Sequence, residues 1–329
     1  MIKFFSSRIK LVRIILYINL SSGWNVWAGA NDRIKDCNNY PINTKAVQFA
    51  AEEGVPYCQA LLGQLLWRGT GIEKNEKLAV QWSQRSLESV EPLGYYNKGV
   101  IYLYGLGGVI ADNQVASQAF RVARGNLEKI TGQIDPNYEF VLGSIIYNGF
   151  DGNQKNPIVG CAHYLNAANM NHPVAQHNYG SCLEDGSLGS KDIGGALHWY
   201  KLSASNGYSS SAWKLGEIQS VNGSPKEAYD SFALASKIGN SDDKLRWAGM
   251  LENGSDIVDK DIGTAAMAYK SASDSGSIHA TYRLAWLYFI GDKSFSKDVN
   301  IAKKLFQQAA QGGDKDAINM VKALADYKK

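Results

Sequence analysis

Small and apolar residues return along this chain at the spacing of one helical face, and the whole pattern comes back about every 36 residues. One half of each period carries a leucine-glycine or similar pair, an apolar turn of helix and a second glycine about six residues on. It reads Leu62-Gly63…Gly69, Lys98-Gly99…Gly105, Leu142-Gly143…Gly149, Tyr179-Gly180…Gly186, Leu215-Gly216…Gly223, Ala248-Gly249…Gly254 and Leu284-Ala285…Gly291. The first glycines, with Ala285 in the last copy, stand 36, 44, 37, 36, 33 and 36 residues apart. The other half carries a small residue, an aromatic three or four residues on and another small residue. Examples are Ala79…Trp82…Ser86, Ala116…Phe120…Ala123, Cys161…Tyr164…Ala168 and Ala196…Trp199-Tyr200…Ala204. Ala228…Phe232…Ala235, Ala265…Tyr269…Ala272 and Ala302…Phe306…Ala309 complete the set.

Each period therefore predicts two helices, A and B, and a fixed period of this length predicts stacked helix pairs. Small residues on helix B let neighbours approach, and the aromatic fills the wedge between repeats. Gly207, Gly239, Gly276 and Gly312 stand where a left-handed cap ends helix B. Asp185, Asp192, Asp259, Asp261 and Asp298 stand in the turns, where carboxylates cap helix starts. Residues 46–54 read as a lone helix B before the first unit, and residues 317–324 as a closing helix A after the seventh.

The pattern resembles the Sel1-like repeat family, relatives of the tetratricopeptide repeats. The match is carried by Ala175…Gly180…Gly186…Asp192…Ala196…Trp199-Tyr200…Ala204…Gly207 and by Ala280…Tyr288…Gly291…Asp298…Ala302…Ala309-Ala310…Gly312. The resemblance implies an all-α, right-handed superhelical solenoid of about seven helix-turn-helix repeats over residues 43–325, with capping helices and a short tail at 326–329. Three departures mark local specialisation: Lys98 at a leucine position, a short fifth unit containing Pro225, and about eight extra residues around Gly125–Asn137.

The first 30 residues differ from the rest. Lys3, Arg8, Lys10 and Arg13 precede the apolar run from Ile14 to Leu20, and Ala28-Gly29-Ala30 closes the segment. That order is the layout of a secretory signal peptide, cleaved before Asn31. The run is shorter than the roughly 20 residues a membrane span takes. Periplasmic localisation, with no stable membrane insertion after cleavage, is the expectation, and residues 31–42 form an N-terminal segment. The chain has 34 basic and 31 acidic residues, and four of the bases but no acid lie in residues 1–30. The remainder holds 30 bases against 31 acids, so no basic surface is available for nucleic acid.

Four cysteines remain, an even count that suggests two disulfides in an exported protein. Cys161 and Cys182 lie about equally far from the turn at Asn171-His172-Pro173, so an antiparallel hairpin brings them level. That leaves Cys37 and Cys58 to tether the N-terminal segment to the first repeat. Four buried, reduced thiols are the alternative.

No catalytic, cofactor or metal motif emerges. Gly105-Leu106-Gly107-Gly108 has no preceding strand and reads as a turn. His172 and His177 are five apart across a proline turn, poor spacing for a metal, and read as surface or packing residues. The candidate binding surface lies on helix A opposite the repeat-defining side, three before, one after and four after the phrase glycine. Its aromatic and charged members are Trp67, Tyr96, Phe140, Tyr147, His177, Trp213, Arg246, Tyr282 and Trp286. Packing against the adjacent repeat is the competing role for each. The resemblance implies a monomeric, non-enzymatic protein-binding scaffold, with adaptor, regulator or inhibitor roles. Exported relatives include immunity partners of type VI secretion effectors, notably phospholipases. Envelope signalling adaptors and weak penicillin-binding, β-lactamase-like proteins are the alternatives; that last subgroup carries a disulfide in nearly every repeat, against at most two here.

Overall fold

The computed structural model describes residues 34–35, 37–130 and 135–326. The signal-like segment 1–30 and the last three residues of the tail lie outside them. Between Thr44 and Asp326 the described residues form sixteen α-helices and no β-sheet. A lone helix, α1 (Thr44–Glu52), comes first. Seven hairpins follow: α2 (Pro56–Arg68) with α3 (Glu76–Ser86), α4 (Pro92–Tyr104) with α5 (Asn113–Leu127), and α6 (Pro136–Asn148) with α7 (Pro157–Asn169). Next come α8 (Pro173–Asp185) with α9 (Ile193–Ser205) and α10 (Ser209–Val221) with α11 (Pro225–Ile238). The last pairs are α12 (Ser241–Asn253) with α13 (Ile262–Asp274) and α14 (Ile278–Ile290) with α15 (Val299–Gln311), closed by α16 (Lys315–Asp326). The architecture is an all-α repeat solenoid with single helices at both ends. No helix among the described residues is long and apolar enough to cross a membrane.

In several hairpins the phrase glycine marks a close approach of the two helices. A Cβ at Gly99 would meet the Phe120 ring at 2.6 Å, one at Gly143 the Tyr164 ring at 2.7 Å, and one at Gly180 the Tyr200 ring at 2.8 Å. In these hairpins, and in the fifth where Gly216 faces Phe232, the aromatic of the B helix is thus seated on the bare backbone of its A helix. Trp82, Phe120, Tyr164, Tyr200, Phe232, Tyr269 and Phe306 are all buried, as are the alanines and Cys161 one turn before them. Each such ring contributes roughly 1.5–3 kcal/mol by leaving water.

Six of the seven prolines stand in the first turn of a helix, where a missing N–H costs nothing. Pro225 therefore begins α11. Asn75, Asp112, Asn156, Asp192, Asp261 and Asp298 each accept a first-turn N–H of a B helix. Asp185 and Asp259 do not act so: Asp185 is the last residue of α8, and the cap of α13 is Asp261. Gly207 and Gly276 adopt φ of 89° and 98°, as the pattern predicts. Gly239 and Gly312 do not. Gly239 is extended because only two residues join α11 to α12, and the left-handed turn after α15 falls one residue later, on Gly313 at φ 93°.

Both disulfides form as the spacing predicts. Cys161 and Cys182 join α7 to α8, and Cys37 joins the N-terminal segment to α2 through Cys58. The array also bends until distant parts touch. Ser241 N–H donates to the Glu73 carboxylate at 3.2 Å across 168 residues, and the Asn240 side chain fills the space beside Gly69. The loop of the first hairpin thereby meets the turn between the fifth and sixth.

Candidate functional site: an inner cleft closed by the N-terminal segment

The A helices of the first four repeats converge on a cleft of about 720 Å³. Trp67 and Arg68 of α2, Tyr96, Val100 and Tyr104 of α4, Phe140, Ser144 and Asn148 of α6, and Asn178 of α8 line it. Tyr208, Asn240 and Asp242 face them from the far side. Counted from the phrase glycine, α4 and α6 line it with the positions three before, one after and five after, and α2 with those four and five after. The predicted surface is thus rotated by one residue at its outer edge, so sequence reasoning missed Arg68, Tyr104 and Asn148. Only the superhelical bend decides that edge, and no local pattern records it.

The nine predicted anchors do not form one surface. Trp67 is half-buried in the cleft wall. Tyr96 and Phe140 form its floor at 4% and 1% exposure, wedged against each other and against Phe120 and Tyr164. Tyr147 turns into the next repeat, where its hydroxyl donates to Asp185 at 3.1 Å. His177 sits between Tyr200 and Tyr208 and bonds Ser211 Oγ at 2.8 Å; burial pushes its pKa down to about 4. Trp213 is 4% exposed, packed on Phe232, with its indole N–H given to Asp243. For Tyr96, Phe140 and Trp213 the expectation of an exposed anchor is corrected: each packs into the inter-repeat core. Arg246 is exposed, stacks 4.0 Å over Trp213 and pairs with Glu217. Half-buried Tyr282, Trp286 and Phe289 pack around buried Phe306 in a separate cluster beside α16.

The N-terminal segment enters the inner face below the cleft, which its sequence did not signal. Tyr40 is half-buried, donates to Asn137 Oδ1 at 2.8 Å and packs on His172 at 4.9 Å. Asp135 is the hub of this junction. It accepts from Asn38 Nδ2, the Tyr57 hydroxyl and the backbone N–H groups of Asn137 and Tyr138. Burial raises its pKa despite those bonds, which hold the charged form. Burial also raises the neighbouring Glu91 to about 7, against bonds from Leu93 N–H and the Tyr138 hydroxyl. His172 is 3% exposed and stacks on Phe140 at 4.7 Å, and burial pushes its pKa down to about 3. A second cavity of about 210 Å³ lies between this segment, α2 and the start of α8.

Among the described residues no group of three or more His, Cys, Asp or Glu side chains is placed to hold a metal ion. The cleft instead offers aromatic faces, amides, Arg68, the Lys74–Glu76 pair and Asp242, a surface suited to binding a chain of another protein.

A Sel1 repeat family model matches residues 56–89, 92–120, 136–172, 173–208, 245–277 and 278–314. The fifth hairpin, whose helices are joined by only three residues, falls outside the match but is present in the structure. Similar solved structures include a Sel1 repeat protein from Oxalobacter formigenes, at 21% identity and TM-score 0.48 over 85% of this chain and 80% of that one. Another is c5321, a protective antigen of uropathogenic Escherichia coli, at 24% identity and TM-score 0.43 over 88% of this chain and 61% of that one. Yeast Tom70 shares the fold at TM-score 0.53 and 12% identity, over 91% of this chain and 64% of that one.

Proposed function

Because this chain belongs to the Sel1 repeat family, we propose that it is a non-catalytic binding protein of the bacterial periplasm whose inner cleft holds one protein partner. The most specific form of the proposal is an immunity protein that binds and silences a secreted effector of phospholipase type. The cleft carries the reading: about 720 Å³ of open, mainly aromatic and amide surface on rigid helices, with no metal-holding group beside it among the described residues. The two disulfides and the basic, apolar and small-residue order of residues 1–30 support export. A stable inhibitory complex buries roughly 1,600 Å², and seven hairpins have surface to spare.

The test begins with the adjacent genes. A lipase or other toxin encoded there is co-expressed with this protein, and the complex is followed by size-exclusion chromatography and by protection of cells. Tyr104→Ala removes an exposed cleft ring, and Asn148→Trp fills the cleft. Loss of the complex in both variants, with helicity unchanged, is the expected result. A complex that survives both places the partner elsewhere, and a sensor kinase as neighbour favours a regulatory adaptor.

A further inference from the structure

We propose that Arg68 is the centre of a carboxylate-binding site at the edge of the inner cleft, so that the partner is gripped there through an acidic group. The proposal rests on the cleft reading above.

The guanidinium of Arg68 is held between two rings, 4.2 Å from the Trp67 centroid and 4.9 Å from that of Phe140. Stacked this way, its faces are covered and its N–H edge is left for an acceptor. Arg68 lines both the cleft and the smaller cavity beneath it. Arg124, Arg246 and Arg283 each have a carboxylate partner, and Arg85, stacked on Trp82, is exposed to water. Half-buried Arg68 has no carboxylate partner among the described residues. A cation taken out of water without a counter-charge is costly, and an arriving anion removes that cost.

The surroundings supply donors where a neutral site would supply acceptors. Gln64 is 3% exposed and its Nε2 has no hydrogen-bond partner; Trp67 Nε1, on the same helix, has none either. His172, 3% exposed, uses Nδ1 to accept from Ala175 N–H, which leaves its proton on Nε2. His172 lines the smaller cavity, and that N–H has no acceptor among the described residues. The acids nearby are committed or distant. Glu76 pairs with Lys74 at 3.0 Å and takes Gly107 N–H; Asp135 is engaged by Asn38 and Tyr57; Asp242 is exposed on the facing wall. One planar cation among neutral donors matches a monoanion, and a guanidinium edge fits the two oxygens of a carboxylate.

The test uses the whole protein, ¹⁵N-labelled, and three N-acetylated peptides: an amidated one with a central glutamate, one of glycines with a free C-terminus, and an amidated one with glutamine in place of the glutamate. Saturable shifts of the Arg68 Nε–H and Trp67 indole resonances with either anionic peptide, and none with glutamine, are expected. Which anionic peptide acts assigns the group as a side chain or a chain terminus. Arg68→Met keeps the stem over the rings and should weaken binding by about tenfold or more; Arg68→Lys, which keeps charge without the planar edge, should fall between. Equal response to all three peptides, no response to any, or undiminished binding by Arg68→Met overturns the proposal. In the partner complex, disruption by Tyr104→Ala but not by Arg68→Met removes the carboxylate site and leaves the cleft reading standing. A complex indifferent to both removes the cleft reading itself.

Discussion

A methyl group added at two phrase glycines should move stability in opposite directions. At Gly99 three atoms of the Phe120 ring lie 2.6–2.7 Å from where the Cβ would stand. That ring is 0% exposed, stacked on Phe150 at 5.0 Å and wedged by Tyr96 at 5.7 Å, so it has no direction in which to yield. Overpacking of this kind costs about 1–3 kcal/mol, while glycine to alanine in a helix interior gains about 0.8–1.0 kcal/mol. The net for Gly99→Ala is a loss of about 0–2 kcal/mol. At Gly249 the nearest atom is the Tyr269 hydroxyl at 3.8 Å, ordinary contact, and the seventh repeat already carries Ala285 at the same position, fully buried. Gly249→Ala should therefore stabilise by up to about 1 kcal/mol. Urea unfolding followed by helical circular dichroism gives the two midpoints. Amide hydrogen exchange assigns each change to its hairpin, since a repeat array need not unfold as one unit. If both variants shift in the same direction by similar amounts, the close-approach account of the phrase glycine is wrong.

Glu91, with a folded pKa of about 7, keeps its proton in the folded state where the unfolded chain, near 4.3, has released it. Its contribution to stability thus falls as pH rises through that window, and Glu91→Gln should gain on the wild type by up to about 3 kcal/mol between pH 5 and 8, read as a pH-dependent gap in urea midpoint; a constant gap refutes it. Replacing Cys161 and Cys182 by serine, or Cys37 and Cys58, removes a cross-link spanning 21 residues and should cost about 3 kcal/mol in each case. Only the second pair should open Tyr40 to nitration, detected by mass spectrometry. Asp135→Ala leaves several buried donors without an acceptor and should cost about 3–5 kcal/mol in thermal or chemical unfolding. Asp192→Ala, an exposed cap, should cost only about 1 kcal/mol by the same measurement.

The hairpins were legible because each is specified locally. The glycine that admits a ring, the ring that fills it and the carboxylate or amide that starts helix B recur within one period, and so does the proximity of Cys161 to Cys182. The cleft was only half legible. Whether Trp213 faces a partner or the neighbouring repeat depends on how far Phe232 and Asp243 reach over it, and both belong to other helices. The role of Tyr40 and Asp135 depends on contacts 97 residues apart, between Tyr40 and Asn137 and between Asn38 and Asp135, which no periodic pattern encodes. Arg68 was passed over because it stands one place beyond the predicted edge, where the bend of the array turns position five after the glycine inward.

The bond from Ser241 to Glu73 alters the mechanics of the array. A row of units coupled only to their neighbours frays from either end, and each unit can melt without informing those beyond the next. Here the opening hairpin is latched to the start of the sixth, so loosening any of the four between them strains the latch. The front of the molecule should consequently resist fraying as a ring does, while α14 to α16, beyond the latch, should be the first to exchange their amide protons.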